Sequence, residues 1–133
     1  EIRSSTLPFT SWVNSFVQKG AGTQYSDEWA PTLAFVQIPG EPRGRLAATW
    51  YDTRDGASTG SINVYGTMST DDGANWATET RVTSGTGTPF VLTDLWLDYN
   101  GIAGSPIDGK FLAAWADTRA GGSARIWAGV LTP

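Results

Sequence analysis

The sequence predicts an all-β chain built from about two copies of one antiparallel meander, and three observations carry that prediction. The first is an internal repeat. Gly44-Arg45-Leu46-Ala47-Ala48-Thr49-Trp50-Tyr51-Asp52-Thr53-Arg54 aligns without a gap on Gly109-Lys110-Phe111-Leu112-Ala113-Ala114-Trp115-Ala116-Asp117-Thr118-Arg119, so Trp50 to Trp115 and Arg54 to Arg119 share one offset. After a shorter loop in the second copy, Val64-Tyr65-Gly66 matches Ile126-Trp127-Ala128, and ahead of it Leu33-Ala34 matches Ile102-Ala103. Self-similarity at a fixed period marks a repeat architecture. The second observation is Ser69-Thr70-Asp71-Asp72-Gly73-Ala74-Asn75-Trp76, which reads S-x-D-x-G-x-x-W. In such a turn Asp71 accepts backbone N–H groups, Gly73 takes a positive φ without a Cβ penalty, and Trp76 packs its ring over the reversal. The third is composition: 16 Gly, 7 Pro and 7 Trp among 133 residues fit many short strands separated by tight turns.

Taken in order, residues 10–18 read as a strand that stops at Gly20-Ala21-Gly22, and residues 32–37 as a second that stops at Pro39-Gly40. Residues 45–53 and 61–68 supply two more, and 79–83 a further one behind the S-x-D-x-G-x-x-W turn. The stretch 84–89 (Ser-Gly-Thr-Gly-Thr-Pro) is loop, and strands near 90–93, 100–104, 110–117 and 124–131 complete the chain. No segment carries a convincing helical pattern.

Four-stranded meanders repeated at this period are the blades of a β-propeller. Residues 1–30 form an N-terminal strand and connector, 31–84 one blade, and 85–133 a final blade with three of its four strands. A blade without its outer strand leaves a ladder edge open, and residues 2–18 are candidates to cover it, in this chain or in another. About two blades cannot close a ring, which takes at least about four. The expected partners are therefore the remaining blades of a larger parent chain, or identical chains associating cyclically, three of them giving six blades. Glu1 in place of Met points to a processed or excised piece.

Net charge is −4, without the basic footprint of a nucleic-acid binder. No apolar run reaches the ~20 residues of a membrane-spanning helix. Zero Cys and zero His exclude thiol nucleophiles, disulfides, a Ser-His-Asp triad and Cys/His zinc sites. Asp55, Asp71 and Asp72 lie in no D-x-D-x-D-G loop, so neither a metal nor another cofactor is expected. Cysteine-free, acidic and rich in Thr, Gly and Trp, the chain reads as an exported, extracellular or cell-surface protein of bacterial type.

The Ser69, Asp71, Gly73, Trp76 turn matches the Asp box, or bacterial neuraminidase repeat, and the chain resembles the last blades of sialidase-like β-propellers. Asp27-Glu28-Trp29-Ala30-Pro31-Thr32-Leu33-Ala34 resembles the D-x-[FW]-x-P-x-L-A lead into a blade, and Asp98-Tyr99-Asn100-Gly101-Ile102-Ala103 extends the likeness. The resemblance implies a site built from an arginine triad that grips a carboxylate, a Tyr nucleophile with a Glu, and an Asp acid/base. No three arginines here are marked as convergent, and Tyr99, beside Asp98, is the candidate nucleophile. In each W-x-D-x-R strand, Trp, Asp and Arg at i, i+2 and i+4 share a face. Asp52, Arg54, Asp117 and Arg119 are thus candidate glycan contacts, with an Asp–Arg pair locking neighbouring blades as the alternative. Trp50 and Trp115 are expected in the core, while Trp29, Trp96 and Trp127 suit either sugar stacking or packing between blades. Three functions follow: glycan or surface-ligand recognition by an extracellular module, part of an exo-sialidase-type glycoside hydrolase, or a structural component of a surface layer or fibre.

Overall fold

The computed structural model describes residues 2–4, 13–15, 28–55, 62–84, 99–118 and 125–133, and among them it is all-β with no helix. Strands β1 (Ile2–Ser4) and β2 (Val13–Ser15) pair only with each other. A four-stranded antiparallel sheet follows in sequence order: β3 (Glu28–Val36), β4 (Arg45–Asp52), β5 (Asn63–Ser69) and β6 (Thr80–Arg81). A three-stranded antiparallel sheet completes the chain with β7 (Asn100–Gly104), β8 (Phe111–Asp117) and β9 (Arg125–Leu131). The strand expected near 90–93 lies outside the described residues.

β1 is not among the strands expected from sequence, and two others differ from expectation. β3 begins at Glu28 rather than 32, because a bulge between Trp29 and Thr32 carries the ladder past Pro31. Proline has no N–H to give a ladder, and Ala30 turns into the left-handed region at φ 49 to accommodate it. The Ala30 carbonyl freed by the bulge accepts Asn100 Nδ2 from the second sheet at 2.5 Å. β6 is only two residues long, paired through Tyr65↔Arg81 and Gly66↔Thr80. As for the outer strand of the second sheet, β1 and β2 do not supply it within this chain, and no described strand pairs with the far side of β9.

One core lies between the two sheets. Side chains alternate across a strand, so Ala47, Tyr51, Val64 and Met68 share the face of the first sheet that meets Phe111, Ala113, Trp115 and Leu131 of the second. The sheets approach closely at Gly66, where a Cβ would stand 2.7 Å from Leu131 Cδ2. Tyr51 donates its hydroxyl to the Ala116 carbonyl at 3.0 Å and stacks on Trp29 with ring centroids 5.5 Å apart. A second, smaller cluster of Ala48, Trp50, Tyr65 and Trp76 sits on the opposite face of the first sheet.

The repeat makes this packing directional. Trp50 and Trp115 occupy matched positions, yet Trp115 belongs to the core between the sheets and Trp50 to the cluster behind it. The first sheet therefore uses one repeat-defined face and the second uses the other. They stack head to tail, in the manner of successive units of an array.

Candidate functional site

The turn after β5 is built as the residue types require. Asp71 accepts the Asn75 backbone N–H at 2.8 Å, Asn75 Nδ2 at 2.7 Å and the Ser69 hydroxyl at 2.8 Å. Ser69 Oγ in turn accepts the Gly73 N–H at 2.9 Å, and Gly73 takes φ 87. These bonds, led by the Asn75 side chain, hold the Asp71 carboxyl down to about 2. Trp76 is buried against Trp50, Tyr65 and Ala48, although its indole N–H finds no acceptor among the described residues. Asp72 adds a tie the motif does not announce: its N–H donates to Gly44 O at 3.2 Å and its Oδ1 accepts Gly44 N–H at 2.7 Å. The turn is thereby clamped to the start of β4.

At the other end of the same sheet, Asp52 and Arg54 come together as expected, and Glu79 joins them. Trp50 Nε1 donates to Asp52 Oδ2 at 3.1 Å, and Trp115 Nε1 to Asp117 Oδ2 at 3.3 Å, so the W-x-D contact is formed in both copies. Arg54 lies in the turn beyond β4, and its own N–H donates to Asp52 Oδ1 at 2.7 Å. Its guanidinium donates through Nε to Asp52 Oδ2 at 2.8 Å and through Nη1 to Glu79 Oε2. Nη2 stands 2.6 Å from the same Asp52 oxygen without hydrogen-bond alignment, so there it contributes charge alone. The ring of Tyr65 lies 4.2 Å beneath the guanidinium carbon. Burial works against the Arg54 charge, but the Asp52 and Glu79 hydrogen bonds outweigh it and hold the group above its ordinary value. The side chains of Asp52 and Glu79 are 0% and 3% exposed, so the arginine neutralises two carboxylates buried within one sheet. Its lock is internal to that sheet rather than between neighbours.

Beside this lock, Asp55 accepts the Tyr65 hydroxyl at 2.8 Å and Asn63 Nδ2 at 3.0 Å. Burial first, and then the Asp55 hydrogen bond, push the Tyr65 phenol up to about 12. Sequence reasoning missed both Glu79 and the Tyr65–Asp55 pair. For neither did the sequence pattern carry a signal, since Asp55 lies in the β4–β5 connection and Glu79 ahead of β6.

Tyr99 is 64% exposed, and Asp98, Trp96 and Arg119 lie outside the described residues. Trp29 and Trp127 pack against the core between the sheets, which removes them as open sugar platforms. An open groove of about 560 Å³ runs instead along the Asp71 end of β6, between the first sheet and the end of β9. Asp71, Asn75, Trp76 and Arg81 line one wall, and Val130 and Thr132 the other. Arg81 also lines the groove, while its guanidinium donates to Asp55 at 3.4 Å and its side chain remains 38% exposed. The concavity thus lies at the opposite end of the sheet from Arg54, where sequence reasoning looked for ligand contacts.

Comparison with family models, with curated proteins and with solved structures gave no match. No helix among the described residues is long and apolar enough to cross a membrane.

Proposed function

We propose that the chain is an extracellular, sialidase-like β-propeller module of the Asp-box type, contributing two consecutive blades and binding glycan without hydrolysing it. The observation that carries this reading is the contrast between its two polar regions. Arg54 is committed to Asp52 and Glu79, and the Tyr65 hydroxyl, held to about 12 beside Asp55, is a poor nucleophile at neutral pH. The groove, by contrast, offers hydroxyl, amide and carboxylate groups and the partly exposed Arg81 around an open concavity. Such a mixture suits sugar hydroxyls, and a carboxylate on an acidic sugar would compete with Asp55 for the Arg81 guanidinium.

The test is calorimetric titration of the intact protein with sialyl and neutral trisaccharides, in parallel with a fluorogenic sialoside assay. The expected result is binding without turnover, weakened about tenfold by Arg81→Ala, the ~1.4 kcal/mol of one lost charged contact. Melting should stay unchanged, because a solvent-exposed ion pair adds little stability. Turnover of the sialoside, or titrations that are flat for both trisaccharides, would overturn the reading.

A further inference from the structure

We infer that the chain carries a self-complementary pair of docking faces: the outer face of its three-stranded sheet receives the outer face of the four-stranded sheet of a second copy. The internal packing supplies the template. In the repeat alignment, the face of the first sheet buried against the second consists of Ala47, Thr49 and Tyr51 on β4 and Val64, Gly66 and Met68 on β5. The same repeat positions in the second sheet are Leu112, Ala114 and Ala116 on β8 and Ile126, Ala128 and Val130 on β9, all on its outward face. That face is apolar and open at Leu112, 54% exposed, Ile126, 73%, and Val130, 58%, while Ala116 at the end of β8 is buried.

Its complement is on the same chain. Ile102 of β7 packs into the core between the sheets, and its repeat equivalent Leu33 lies on the outward face of β3, 47% exposed, next to Phe35 at 57%. Each outward face is thus the repeat counterpart of one half of the interface already formed inside the molecule; on the first sheet Trp76 packs with Ala48, Trp50 and Tyr65, and the open part of the face is its β3 side at Leu33 and Phe35. Two faces that differ, each complementary to the other, make a head-to-tail contact, and such contacts close into rings when the rotation permits. Contiguous apolar surface of this kind marks an interaction site in a soluble protein. This inference stands on the packing of the two sheets and not on the glycan reading; a monomer that binds glycan would sink the first and leave the second intact.

The experiment is sedimentation of the purified chain and of two face variants at tens of micromolar. The wild type should sediment as a closed species of two to four copies of the 14.2 kDa chain, the range that makes a four- to eight-sheet ring. Ile126→Asp and Phe35→Asp, each blocking one face, should each run as single chains with unchanged circular dichroism. Mixed in equal amounts they should form a two-chain species, because each supplies the face the other lacks. If Phe35→Asp fails to fold, Leu33→Asp takes its place. A single-chain wild type overturns the inference, and so does a mixture that stays as single chains.

Discussion

Asp71 shows how much one short polar side chain can organise. Its two oxygens hold Asn75 twice and Ser69 once, while Ser69 reaches back to Gly73, so eight residues satisfy their own reversal. Because all these bonds prefer the carboxylate, the folded-state carboxyl lies at about 2 against an ordinary 3.8. A depressed acid contributes stability above its unfolded value and loses it as pH falls through the folded one. Asp71→Asn should therefore melt below the wild type at pH 6, with the difference shrinking between about pH 4 and 2. Asp108, also held to about 2, is present in both proteins and cancels from the comparison. A difference independent of pH across that range would contradict the assignment. This turn could be read from sequence because every partner lies within its own eight residues; the Asp72–Gly44 clamp could not, since it joins residues 28 positions apart.

β4 illustrates the limit of strand periodicity. Its last six residues are all buried, so the alternation that tells one face of a strand from the other is absent. Sequence reasoning placed the strand and aligned the repeat, but the direction in which Trp50 and Trp115 face had no local signal. The same limit hid Glu79, whose role depends on β6 folding beside β5. Removing Arg54 takes the guanidinium from two buried carboxylates, and a broken buried pair costs about 3–5 kcal/mol. Arg54→Ala should fall at the low end, about 3 kcal/mol by urea denaturation, because the guanidinium side keeps some solvent. Adding Glu79→Gln should recover part of that loss by removing one of the two buried negative charges. A loss below about 1 kcal/mol for Arg54→Ala would mean that the triad carries no structural load. β3 makes a related point: sequence reasoning starts the strand at residue 32, and only the bulge, with Asn100 donating to the Ala30 carbonyl, shows how it passes through Pro31.

In the molecule as a whole, the all-β class, the seven strands of the two larger sheets and the matched Trp-x-Asp contacts follow from residue pattern alone. The stacking of the sheets does not, because it rests on contacts between positions about 65 apart, such as Tyr51 with Ala116. That stacking has a direction, and the direction leaves exposed apolar side chains on each side of the pair, Leu33 and Phe35 on one and Leu112, Ile126 and Val130 on the other. It also sets the groove between β6 and the end of β9, so the proposed ligand site and the proposed docking faces both depend on it. Methyl-resolved NMR of the folded chain tests it most directly. The structure predicts strong cross-relaxation from the Leu131 δ-methyls to Gly66. Cross-peaks from Ile126 or Leu112 methyls to Val64 or Met68 would place the other side of the second sheet in the core and contradict the account.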